Sequence, residues 1–174
     1  MRKWQNVSKQ GRRMIQIHQT AEIEDGAEIG DGTVIWHHCH VRRGASIGAN
    51  CSLGRNVFVD SGVRIGTGTR IQNNVSIYRG VIIDNRVFIG PHVTFTNDLY
   101  PRAFTARDGW RCVPTLIGYG ASIGAGVVVV CGNTVKRFAM VAAGAVVCRD
   151  IEEFELVARF SEHLGFVDEE GKRK

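Results

Sequence analysis

The chain has 174 residues, 44% apolar and 22% charged, a globular balance that excludes a disordered or collagen-like protein. No stretch approaches the roughly 18 uninterrupted apolar residues of a membrane span, and the opening Met-Arg-Lys-Trp-Gln-Asn-Val has no apolar h-region, so no signal peptide is expected. The net charge of +5 resides wholly in residues 1–13, while residues 14–174 balance 17 bases against 17 acids; a nucleic-acid partner needs a basic face on the domain itself and is not expected.

Residues 1–13 carry Arg2, Lys3, Lys9, Arg12 and Arg13 and no repeat. They read as a basic, flexible N-terminal extension. From Ile17 an apolar residue recurs every sixth position: Ile17, Ile23, Ile29, Ile35, Val41, Ile47, Leu53, Val59, Ile65, Ile71, Ile77, Ile83, Ile89 and Phe95. The register resumes with Ile117, Ile123, Val129, Val135, Val141 and Val147. A helix of 3.6 residues per turn cannot keep a six-residue stripe on one face, whereas a strand of period two can.

Three residues after these apolar positions stand glycines or asparagines such as Gly26, Gly44, Asn50, Asn56, Gly62 and Asn74, the types that accept a left-handed backbone. One position further come small or β-branched residues, among them Ala27, Thr33, Cys39, Ala45 and Cys51. Each hexad is therefore a short strand and a corner, with the apolar residue and the small residue pointing inward. Three hexads per coil stack residues 18 apart. The pattern predicts an all-β parallel β-helix of about seven coils over residues 14–150, roughly 30 Å tall.

The spacing from Phe95 to Ile117 is 22 residues, which is not a multiple of six. Residues 96–116 must leave the coil and return as an extruded loop, and long loops in compact repeats are usually functional. After Val147 the spacing of Asp150 and Glu153 resembles a capping box, and Ile151, Phe154, Val157 and Leu164 fall near helical spacing. A short capping helix is expected over 151–167, followed by a polar tail at 168–174.

The five cysteines are odd in number and lack a CxxC pair, so they read as reduced thiols of a cytoplasmic protein. His37, His38 and His40 alternate faces of one strand and converge poorly on a metal. No metal site is expected.

The hexads resemble the hexapeptide-repeat acyltransferases, and that resemblance, not the periodicity, implies a left-handed coil. Three further segments resemble the nucleotide-sugar 3-N-acetyltransferases: Ile35-Trp36-His37-His38-Cys39-His40-Val41, Ile71-Gln72-Asn73-Asn74-Val75-Ser76-Ile77-Tyr78, and Gly90 through Ala103 with its Phe95-Thr96-Asn97-Asp98-Leu99-Tyr100-Pro101 core. The resemblance implies transfer of an acetyl group from acetyl-CoA to the 3-amino group of a dTDP- or UDP-linked amino sugar. The Asn-Asp-Leu-Tyr-Pro variant is closer to the dTDP-3-amino-3,6-dideoxyhexose branch than to the UDP-uronic acid branch. It further implies a homotrimer with acetyl-CoA in the groove between neighbouring chains, in surface polysaccharide biosynthesis. The chain departs from the family at its end: relatives close the last coil with a Gly-(Asn/Val)-Pro-Ala-Arg turn, and here Leu156-Val157-Ala158-Arg159 lacks the Gly-Pro.

Asn97 carries over as a catalytic-site residue able to orient the amine or donate to the oxyanion. His92 is the histidine nearest to it in the chain, the candidate if a base is used; relatives let the leaving sulfur take the proton. The substrate-facing candidates are Arg70, Gln72, Asn74, His38, Tyr100 and Arg102, the arginine suited to a diphosphate. For acetyl-CoA the candidates are Gly132, Ala142 and Ala143, a smooth face for pantetheine, with Lys136 and Arg149 for a phosphate. Alternatives are an O-acetyltransferase of the same fold with a catalytic His, and a non-catalytic β-helix assembly module. A γ-type carbonic anhydrase would need zinc-binding histidines on adjacent coils, and His163 is the only histidine after His92.

Overall fold

The computed structural model describes residues 4–7, 14–101, 103, 111–159, 162–166 and 168. Its strands are mostly two residues long and stack into three sheets. Sheet A contains β2 (Ile15–His18), β5 (Val34–Ile35), β8 (Ser52–Leu53), β11 (Arg70–Ile71), β14 (Phe88–Ile89), β17 (Ser122–Ile123), β20 (Met140–Val141) and β22 (Glu155–Ala158). Sheet B contains β3 (Glu22–Ile23), β6 (His40–Val41), β9 (Phe58–Val59), β12 (Ser76–Ile77), β15 (Thr94–Phe95), β18 (Val128–Val129) and β21 (Val146–Val147). Sheet C contains β4 (Glu28–Ile29), β7 (Ser46–Ile47), β10 (Arg64–Ile65), β13 (Val81–Ile83), β16 (Thr115–Ile117) and β19 (Thr134–Val135).

These pairings are parallel, and within the uninterrupted stretch partners lie 18 residues apart, as in Arg64↔Ser46 and Ile71↔Leu53. The chain visits A, B and C in turn, so the molecule is a three-sided solenoid of about seven coils. The core fills its centre. Ile35, Val41, Leu53, Val59, Ile77, Ile89 and Phe95 are 0% exposed. Full burial of one such side chain contributes about 1.5–3 kcal/mol, and stacking 18 apart makes the core one continuous column.

The corners explain the left-handed positions. Every predicted corner Gly and Asn has positive φ, as in Gly44 (+73°), Asn56 (+57°) and Gly126 (+67°). Arg86 (+57°) and Phe138 (+55°) occupy the same corner position, although neither type favours it.

Thr33 and Thr69 point inward, yet both are satisfied. Thr33 Oγ1 donates to the Gly48 carbonyl at 2.8 Å and accepts from Cys51 N at 3.0 Å. Thr69 repeats the arrangement with Asp84 and Val87.

The C-terminal end differs from the sequence expectation, and the N-terminal end adds a strand. Within the segment expected as a flexible extension, β1 (Trp4–Val7) pairs antiparallel with β2. The capping helix expected over 151–167 is not formed, and no helix occurs among the described residues. Ile151 instead bridges to Val135, β22 joins sheet A beside β20, and β23 (Glu162–Phe166) turns back antiparallel on β22. The residues mistaken for a cap are engaged by the coil below: Asp150 Oδ1 accepts from Thr134 N at 2.7 Å, and Glu153 pairs with Arg137 at 2.8 Å. Glu155 and Val157 are buried alternately with half-buried Leu156 and Ala158, a period of two.

Candidate functional site on the solenoid edges

Three corner columns run along the solenoid where A meets B, B meets C and C meets A. The A/B edge gathers six of the predicted residues: His38, Gln72, Asn74, His92, Ala142 and Ala143. His38, Asn56, Asn74 and His92 stack at consecutive corners, all with φ between +57° and +60°. Asn56 Nδ2 donates to Asn74 Oδ1 at 2.8 Å, and Asn74 Nδ2 lies 3.3 Å from His92 Nε2. His38 is three coil spacings from His92, about 14 Å, so the two imidazoles cannot serve one proton.

The B/C edge holds Asn97 and Gly132, and here the extruded segment leaves the coil. Its neck is closed by Val113 N donating to the Asn97 carbonyl at 3.1 Å. The Asn97 side-chain amide makes no hydrogen bond among the described residues and is half-buried. Tyr100 is 83% exposed beyond an Asx turn in which Tyr100 N donates to Asp98 Oδ1 at 2.8 Å. Arg102 lies outside the described residues. Arg70 stands apart, exposed on the outer face of sheet A between Ser52 and Phe88.

The C/A edge holds Lys136, whose Nζ pairs with Glu152 at 2.7 Å. Arg149, at the top of the B/C edge, pairs with buried Glu155 at 2.8 Å. These carboxylates come from the terminal segment that replaced the expected helix. They hold both cations above their ordinary pKa through side-chain hydrogen bonding. Either cation would have to leave a glutamate to meet a phosphate.

Below Asn97 the B/C edge is a charge ladder. Glu24 accepts from His40 Nε2 (2.9 Å) and from Arg43 N (2.9 Å), and Arg42 spans Glu24 (3.4 Å) and Asp60 (2.9 Å). Burial raises the Asp60 carboxyl, but the N–H groups of Ser61 and Arg79 and the Arg42 guanidinium outweigh it and hold the group below its ordinary value. Arg79, one coil below Asn97, is missed by motif reading. Its guanidinium has no hydrogen bond or ion pair among the described residues, and only counting back 18 from Asn97 finds it.

The histidines near the base of the A/B edge diverge. His18 stacks on His37 with ring centroids 3.6 Å apart, and His40 turns to Glu24. Cys39 and Cys51 are core residues. Burial pushes the Cys39 thiol up to about 11 and raises that of Cys51.

The description "Bacterial transferase hexapeptide (six repeats)" matches residues 26–61 and 62–97. Residues 26–97 are thus similar to the hexapeptide repeats of bacterial transferases. Over 42 residues it is 52% identical to the dTDP-3-amino-3,6-dideoxy-alpha-D-galactopyranose 3-N-acetyltransferase of Aneurinibacillus thermoaerophilus, a match covering 24% of this chain and 22% of that relative. Among solved structures it is similar to the hexapeptide-repeat acetyltransferase VCA0836 of Vibrio cholerae complexed with acetyl coenzyme A (28% identity, TM-score 0.55, 67% of this chain and 70% of that one). PerB of Caulobacter crescentus, solved with CoA and GDP-perosamine, shares the fold at 19% identity and a TM-score of 0.56, over 88% of this chain and 58% of that one.

Proposed function

We propose that the protein is an acetyl-CoA-dependent N-acetyltransferase acting on the 3-amino group of a nucleotide-linked amino sugar, with a dTDP-3-amino-3,6-dideoxyhexose favoured over a UDP-3-amino uronic acid. The observation that carries this reading is Asn97: an uncommitted side-chain amide where the Phe-Thr-Asn motif leaves the coil. The 52% identity to a sugar 3-N-acetyltransferase supports it over the matched stretch.

The amine nitrogen attacks the thioester carbonyl carbon. An N–C bond forms, the C–S bond breaks, and the departing sulfur accepts the proton the amine loses. Asn97 orients the amine or donates to the carbonyl oxygen as it gains charge. Gly132, Ala142 and Ala143 offer smooth backbone to pantetheine, and Arg70, Gln72, Asn74, His38, Tyr100 and Arg102 are assigned to the nucleotide sugar.

On one chain these groups lie on different edges. A homotrimer, in which the A/B edge of one copy faces the B/C edge of another, would assemble them into one groove. The buried free thiols of Cys39, Cys51 and Cys131 suit work in the cytoplasm, and the product class suits surface polysaccharide biosynthesis.

The test is thiol release from acetyl-CoA with dTDP- and UDP-linked 3-amino sugars, against their 3-hydroxy counterparts. Release with the amino sugars only is expected, and Asn97→Ala should lower kcat by about 10²-fold. Release with the hydroxy sugars would establish an O-acetyltransferase. No release with any acceptor would overturn the reading.

A further inference from the structure

The polar column of the A/B edge has a direction. His38, Asn56, Asn74 and His92 share one backbone geometry, so each side chain meets chiefly those one coil above and below. A carboxamide has one donor end and one acceptor end. Asn74 accepts from Asn56 with Oδ1 at 2.8 Å, which leaves Nδ2, a donor only, facing His92 Nε2 at 3.3 Å. Two donors cannot share that contact. Nε2 must present its lone pair, and a neutral imidazole that accepts at Nε2 carries its proton on Nδ1. His92 Nδ1 has no hydrogen-bond partner among the described residues.

We propose that Asn74, oriented by Asn56, is a positioning residue that fixes His92 in the Nδ1–H tautomer and makes it a hydrogen-bond donor at this edge. With its Nε2 lone pair engaged, neutral His92 is suited to hold a carbonyl or phosphoryl oxygen of a bound ligand and unsuited to accept a proton. The tautomer assignment follows from the orientation of the Asn56 and Asn74 amides; its use in acyl transfer rests on the proposed function. His38 supplies an internal contrast. It has nearly the same φ (+58°), but its imidazole makes no hydrogen bond among the described residues; only its backbone N donates, to Thr20 Oγ1 at 3.0 Å. It should show the Nε2–H form that free imidazole side chains favour.

The experiment uses the full chain with ¹⁵N-labelled histidine and long-range ¹H–¹⁵N correlation, at a pH where the imidazoles are neutral. His92 should show a pyrrole-like Nδ1 and a pyridine-like Nε2, the reverse of His38. Asn74→Gly keeps the positive φ and should return His92 to the pattern of His38 while leaving His38 unchanged. Asn74→Asp, which can only accept, should place the proton on Nε2. An Nε2–H pattern at His92 in the unaltered protein overturns the assignment, as does a pattern in Asn74→Gly identical to the parent's. Acyl transfer is read separately. Its absence with the Nδ1–H signature present defeats the proposed function alone, and its presence with an Nε2–H signature defeats this inference alone.

Discussion

Gly62 and Gly66 are four residues apart and are constrained for different reasons. Gly62 has φ of +72° and open space where a Cβ would stand, so Gly62→Ala should cost only the left-handed strain, about 1–2 kcal/mol. At Gly66 a Cβ would lie 2.5 Å from Asn85 N and Asp84 C, which are backbone atoms of the coil above. Gly66→Ala should therefore be the more damaging, with a lower urea midpoint than Gly62→Ala. Thiol reactivity separates the cysteines in the same residue-by-residue way. Cys39 donates to the Gly54 carbonyl at 2.9 Å in the core, and burial holds its pKa at about 11. In native protein, Cys148, which is exposed, should alkylate first, and Cys39 and Cys51 should react only on unfolding. Peptide mass spectrometry after timed alkylation reads the order.

At the level of elements, corner residues bind coil to coil. Asp60 joins three coils by accepting from Ser61 N, Arg79 N and Arg42. Its folded pKa lies below its unfolded value. Its contribution to stability is therefore fully present above about pH 4 and is lost as pH falls through the lowered value. Asp60→Asn should be less stable than the parent at neutral pH, and the gap in urea midpoints should close in acid. The terminal strands β22 and β23 act differently. With Ile151 they form the last coil, which lies over Val135 and Val141, and β22 carries Glu155 to Arg149. Ending the chain after Arg149 should expose Val135 and Val141 on the coil beneath and promote association, visible by light scattering.

The whole molecule is a column whose three edges carry different chemistry. A/B is the Asn–His ladder, B/C the charge ladder rising to Asn97, and C/A an aromatic stack of Tyr119, Phe138 and Phe154 with Arg137 over the last two. Light scattering of the intact protein should give three times the chain mass; a monomer that transfers acetyl groups would break the two-edge groove of the proposed function.

Much of this was legible in the sequence because the structure is nearly one-dimensional. A hexad fixes inward and outward faces through the period of two, and 18-residue stacking fixes neighbours, so the core, the corners and the Asn–His column could be read by counting. Counting failed where the repeat ended. The spacing of Ile151, Phe154 and Val157 suits a helix or an extended chain that turns corners, and only the open edge of sheet A, with unpaired backbone groups to satisfy, decides for strands. The roles of single polar groups were equally out of reach. The engagement of Lys136 and Arg149 by Glu152 and Glu155, the uncommitted Arg79 beneath Asn97, and the polarity of the Asn56–Asn74–His92 chain depend on which side chain meets which across coils. Periodicity determines where a residue stands on the solenoid; contacts between coils determine whether its donor, lone pair or charge is already taken.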